Sequence, residues 1–146
     1  MNVWTFHLEA VTLSPNKMMK MHWTEYQELL NDWFMRVRAK WGVSSVTKAT
    51  GRRRVDIVRY GSRPLDPDNL TASVKPLVDI LRPAKVERGI YKAGTAKAGQ
   101  PWTRSRLGLG FIVDDSEAML DLHVSNGKLT AGQKPYTLLT ISDIAV

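Results

Sequence analysis

Apolar and polar residues change their period several times along this chain, and each change marks an element. Residues 2 to 9 alternate, with Trp4, Phe6 and Leu8 set against Val3, Thr5 and His7, which predicts a strand. Ser14-Pro15-Asn16 reads as a turn. From Thr24 the period becomes helical. Thr24-Glu25-Tyr26-Gln27 has the form of a capping box. Tyr26, Leu29, Leu30, Trp33, Val37 and Trp41 then fall on one face, and Gly42 can close the end. The spacing predicts a helix over 24–41 whose aromatics belong to the core.

Residues 43–51 are rich in Ser, Thr and Gly and read as a loop, and the β-branched run Val55–Tyr60 reads as a strand. Leu70, Val74, Leu77, Val78 and Leu81 share a second helical face. Pro76 leaves two starts open: a helix from Asp68-Asn69, kinked at the proline, or a later helix capped near Ser73 with Pro76 in its first turn. Pro83 ends the element either way. Residues 84–107 carry Gly89, Gly94, Gly99 and Pro101 with little periodicity, the pattern of a long, mobile basic excursion. Gly108–Val113 is short and apolar. Ala118, Leu120, Leu122 and Val124 alternate strictly with polar neighbours, Asn126-Gly127 signals a turn, and Tyr136–Ser142 forms a returning strand. No internal repeat, heptad or linker interrupts the chain. The expectation is one α+β domain spanning residues 1–146: a small, mostly antiparallel sheet with two helices.

Composition narrows the function classes. At 146 residues the chain has the size of a single domain. The absence of cysteine excludes a disulfide scaffold, a thiolate-ligated zinc site and a cysteine nucleophile, and fits a reducing compartment. His7, His22 and His123 are not at zinc-ligand spacing and read as structural. No apolar run approaches the roughly 20 residues of a membrane span, and the N-terminus lacks a signal-peptide pattern. The expectation is a soluble, cytoplasmic protein with no membrane partner.

Charge changes the picture most. The formal net charge is +7, which directs attention to a polyanion. It is unevenly spread: residues 1–63 carry net +6, 64–81 net −2, 82–106 net +6 and 107–146 net −3. The triplet Arg52, Arg53 and Arg54 suits phosphate contact or a solvated strand edge. Lys85, Arg88, Lys92, Lys97, Arg104 and Arg106 in the second basic block are candidates for DNA binding. Carboxylates repel a phosphate ligand unless a cation stands between them. The acidic stretches Asp66-Pro67-Asp68-Asn69 and Asp114-Asp115 therefore read either as Asx-type turns or as hard-oxygen ligands for a divalent ion. Their spacing does not match a calcium EF-hand loop.

Asp66-Pro67-Asp68-Asn69-Leu70, then Lys75 with Asp79-Ile80-Leu81, then Val113-Asp114-Asp115-Ser116, resembles the RusA family of Holliday-junction resolvases. Ser14-Pro15-Asn16 followed by His22-Trp23 and a helix is similar to phage members. The motif blocks cover about a quarter of the chain. The resemblance implies a homodimeric endonuclease, phage- or prophage-encoded, that cuts four-way DNA junctions with Mg²⁺ or Mn²⁺. By motif, Asp66, Asp68 and Asp115 would be catalytic metal ligands, with Asp114 a further, outer candidate. Lys75 would be the positive partner of the phosphate or leaving oxyanion. In the bacterial prototype that lysine follows the second aspartate by four positions, whereas here Ala72 stands there and Lys75 lies at +7. Those positions share a face of an unbroken helix, and Lys75 could alternatively pair with Asp79. The basic block between the motifs is longer than in the prototype and is expected to be a DNA-binding or junction-opening arm. A basic nucleic-acid-binding module without turnover is the reading from another class.

Overall fold

Strands form where the alternation is strictest. In the computed structural model, which describes residues 1–144, β1 (Val3–Leu8), β2 (Arg53–Tyr60), β5 (Leu120–Asn126) and β6 (Tyr136–Asp143) make one sheet in the order β1-β6-β2-β5. β6 runs antiparallel to both β1 and β2, and β2 runs parallel to β5. A parallel pair needs a crossover connection; here it holds α3 (Pro67–Ser73), α4 (Lys75–Leu81) and a second sheet formed by β3 (Pro83–Ile90) and β4 (Pro101–Leu109). The architecture is mixed α+β.

Register decides which side chains turn inward. Val55 pairs with Ile141 and Leu122, and Ile57 with Leu139 and Val124. Phe6 and Leu8 of β1, Trp33 and Val37 of α2 (Trp23–Arg38), and Leu77, Ile80 and Leu81 of α4 join the same core. Each fully buried aliphatic side chain there contributes roughly 1.5–3 kcal/mol. The opposite face is exposed or half-buried. It carries a stack in which the Tyr136 ring lies 4.3 Å from both His7 and Tyr60.

The helices depart from expectation at their ends. α2 begins at Trp23, because His22 is its N-cap and accepts a hydrogen bond at Nδ1 from the Thr24 backbone N–H at 3.3 Å. It stops at Arg38 rather than 41, so Trp41 leaves the apolar stripe and is fully exposed. Gly42, at φ +83°, opens a short 3₁₀ turn instead of closing the helix. The Ser14-Pro15-Asn16 turn extends into a one-turn helix, α1 (Pro15–Met19), capped by Ser14.

The single second helix is two. Asp66 caps α3, the chain gives up that helix at Val74, and α4 restarts at Lys75. Pro76 then falls in a first turn, where its missing N–H is no loss. This reconciles the two starts left open by the sequence, although the cap is Asp66 rather than Asp68-Asn69 or Ser73. Ser73 instead donates to the Leu70 carbonyl at 2.6 Å and bonds Thr12 at 3.1 Å.

The segment 84–107 is not an irregular excursion. It belongs to an antiparallel hairpin, Lys85 facing Arg106 and Ile90 facing Pro101, with a register irregularity between Pro83 and Lys85. At its base Gly108 passes so close to the α4–β3 junction that an added Cβ would lie 2.1 Å from the Arg82 carbonyl oxygen. Backbone cannot give way as a side chain can. Gly108→Ala is therefore expected to lower stability by about 1–3 kcal/mol, measured as a drop in the urea midpoint. A midpoint equal to the wild type would show that the hairpin base opens to admit a methyl group.

Candidate functional site

Helical geometry lines up the candidates. Thr71, Lys75 and Asp79 recur at four-residue spacing along α3 and α4, and all three line an open cleft of about 600 Å³. Across it stand Asp115 and Asp121, with Arg52 at the rim. Lys75 and Asp115, drawn from motif blocks 40 positions apart, thus share one cleft.

Asp66 and Asp68 are not among the residues lining this cleft. Asp66 is engaged as a cap: Oδ1 accepts from the Asn69 backbone N–H at 3.0 Å and Oδ2 from the Asn69 side-chain amide at 3.2 Å. Asp68 sits in the first turn of α3, exposed. It precedes Thr71 by three residues, a rise of about 4.5 Å along the helix axis. Asp114 is tied to its own turn. Its Oδ1 accepts from the Ser116 backbone N–H at 2.8 Å and from the Ser116 hydroxyl, and these bonds hold its carboxyl below the usual aspartate range.

Asp79 is the residue that sequence reasoning undervalued. It is 8% exposed, and its Oδ1 accepts from Lys75 Nζ at 3.4 Å and Arg82 Nη2 at 3.1 Å. The buried carboxylate is held by Arg82 and offers the exposed Lys75 side chain a partner one helical turn away. Glu117 and Asp121 also border the cleft. Asp121 pairs with His123 Nε2 at 2.9 Å and stands 4.0 Å from Arg52. The signal in the sequence is proximity to Asp115 for Glu117 and a polar position of the alternating strand for Asp121.

The donor set is right in kind for a hard divalent cation, since carboxylate oxygens are the available ligands and no thiolate competes. Among the described residues, however, no group of three or more His, Asp or Glu side chains is positioned to hold an ion.

The arginine triplet divides. Arg53 is 4% exposed and cannot reach a phosphate. Its guanidinium donates to Asp143 at 3.0 Å, to the Thr47 carbonyl at 2.7 Å and hydroxyl at 2.7 Å, and to the Phe111 carbonyl at 3.0 Å. It also lies 4.8 Å from the Trp4 ring centroid. This corrects its assignment to DNA binding: strand alternation turns it inward with Val55 and Ile57. Arg54 points to the other face and forms a two-pronged pair with Asp56, 2.9 Å in each bond. Arg52 is exposed, and donates to the Glu117 carbonyl at 3.0 Å.

The remaining candidate cations lie on the hairpin. Lys85, Arg104 and Arg106 share one of its faces with Trp102, while Arg88 projects from the other. Lys92 and Lys97 belong to the connection between its strands, and Lys97 lies 5.6 Å from the Tyr91 ring centroid. Among the described residues no helix is long and apolar enough to cross a membrane. No protein-family model matches the chain, and no curated protein matches it significantly.

Proposed function

We propose that this chain is a metal-dependent, structure-specific DNA endonuclease of the RusA type, acting as a homodimer on four-way junctions in the cytoplasm. The observation that carries the reading is the common cleft of Lys75 and Asp115, lined by a helix, α4, that also packs against a strand of the basic hairpin. Phosphodiester hydrolysis needs a positioned water, charge neutralisation at phosphorus and a stabilised leaving oxygen. Asp115 and, by the motif, Asp68 would hold Mg²⁺ or Mn²⁺, which would supply an activated water and a counter-charge when bound, while Asp66, its two oxygens engaged by Asn69, would join them only by giving up its role as the α3 cap. Asp114 would act outside that set, orienting the loop through Ser116. Lys75, aligned by Asp79, would face the phosphate or the departing oxyanion. A junction has near two-fold symmetry, so two copies of the site about a two-fold axis suit paired cuts.

The arm supplies affinity. Lys85, Arg88, Lys92, Lys97, Arg104 and Arg106, together with Arg52 and Arg54, would contact phosphates and release counterions. Neutralising Lys85, Arg88, Lys92 and Lys97 together is expected to weaken junction binding and flatten its salt dependence. The slope of log K against log salt should fall by about 2–4, with Lys85 contributing least because Glu87 already partners it at 3.0 Å. An unchanged slope in an anisotropy titration would remove the arm from the interface.

A second reading, a basic binding module without turnover, is favoured by one observation: the described carboxylates do not converge in threes. One assay separates the two. The purified chain is incubated with a labelled four-way junction, with and without Mg²⁺ or Mn²⁺, and paired symmetric nicks are sought. Metal-dependent nicking is the expected result, and binding without it would leave only the module.

A further inference from the structure

A second cleft, of about 470 Å³, lies between α2 and the hairpin. Trp23, Gln27 and Leu30 line it from the helix, and Lys85, Arg104 and Arg106 from the strands. Trp23 is 70% exposed, an unusual setting for an indole with no layer over it. Gln27 is one helical turn further on the same face, and its amide can both donate and accept. Leu30 and Ile80 add apolar surface.

Two observations indicate an anionic ligand with a flat apolar part. The first is an orphan donor: Arg106 Nε is buried and has no hydrogen-bond partner, while Nη2 reaches the Pro83 carbonyl at only 3.3 Å. The second is the field of the lining. Lys85, Arg104 and Arg106 face two carboxylates, Glu87 and Asp79, which leaves the lining net positive; Lys85 is taken up by Glu87 at 3.0 Å, so Arg104 and Arg106 are the cations left for a ligand. Asp79 lines this cleft and also the one containing Lys75 and Asp115, so the two adjoin across α4.

We propose that this second cleft binds one unpaired nucleotide of a DNA strand, its base stacked on Trp23 and read at its edge by Gln27, its phosphate on Arg104 and Arg106. The partner being DNA rests on the endonuclease reading. A strand whose scissile phosphate lay beside Lys75 would carry a neighbouring nucleotide into this cleft, and the choice of cutting sequence would then be made at Gln27.

The test uses the full chain and a short labelled single-stranded oligonucleotide, titrated by anisotropy over a salt series. Trp23→Ala is expected to weaken binding by roughly 5- to 100-fold without changing the salt slope, and Trp23→Phe to restore most of it. Arg106→Gln should instead lower the slope by about 0.7. Gln27→Ala should alter the ranking of the four homopolymers. Wild-type affinity in Trp23→Ala overturns the proposal. So does a change of oligomeric state in that variant by light scattering, which would make the cleft a contact between copies. A wild-type chain that cuts junctions yet shows no dependence on Trp23 loses the pocket and keeps the nuclease. A chain that binds strands through Trp23 but never cuts keeps the pocket and loses the nuclease. A chain that binds no DNA loses both.

Discussion

Asp115→Asn is expected to lower junction cleavage by about 10³-fold or more in single-turnover conditions, with junction affinity kept within about threefold. The substitution keeps the size and removes the charge, so the cleft retains its shape and loses an anionic oxygen from the lining that Asp115 shares with Lys75. Asp68→Asn should fall with it. Asp114→Asn should cost less, on the order of tenfold, because its role is to hold the loop through Ser116. Lys75→Ala should lower the rate while Asp79, still paired with Arg82, keeps α4 in place. Gel-resolved nicking with anisotropy on the same junction reads both quantities. Near-normal cutting by Asp115→Asn would end the site assignment. Loss in Asp115→Asn with normal cutting in Asp68→Asn would confine the chemistry to the cleft that Asp68 does not line.

The largest stability effect belongs to a residue that reads as surface. Arg53→Met is expected to cost about 3–5 kcal/mol, because it removes a buried cation and leaves Asp143 and the Phe111 and Thr47 carbonyls without their donor. Arg52→Ala and Arg54→Ala, whose charges are exposed, should stay within about 1 kcal/mol of the wild type. Urea midpoints compare the three. The pH dependence follows the same pair. Burial would raise the Asp143 carboxyl, but the hydrogen bond and charge of Arg53, with bonds to Asn2, bring it below the ordinary aspartate value. A depressed folded-state value means the stabilisation is complete above about pH 4 and is lost as pH falls through the lowered value. The acid limb of the stability curve should therefore be shallower in Arg53→Met. Equal midpoints for Arg53→Met and Arg54→Ala would show that the buried network contributes nothing.

Arg53 also shows what the sequence conceals. The order Arg53-Val55-Ile57-Arg59 carries period two, yet a charge at an inward position is read as outward by any rule that equates charge with solvent. Both arginines are buried, Arg59 donating to the Thr12 carbonyl at 3.0 Å and the Arg63 carbonyl at 2.8 Å. Strands β1, β5 and β6 were legible because one side of each meets the core and the other does not. β3 and β4 were not, because neither hairpin face is apolar throughout and the alternation that marks a strand never develops. Their order comes from cross-strand pairing, which no local period records. At the site, Lys75 and Asp115 were legible as members of a motif. Asp79 was not, since a carboxylate four residues from a lysine has the same signature on a solvated helix as in a buried pair. Asp66 illustrates the reverse case: the Asp-Pro-Asp-Asn stretch does form the Asx-type cap that competed with the metal reading, both of its oxygens already engaged with Asn69.

Strand β6, though last in chain order, is inserted between β1 and β2. During synthesis neither earlier strand can pair with it until Tyr136–Asp143 has left the ribosome. Until then the nascent chain displays Phe6, Leu8, Val55 and Ile57 without the strand that joins them. Sheet closure must therefore wait for β6, and an emerging chain of this kind is a natural client for chaperones that shield apolar strands.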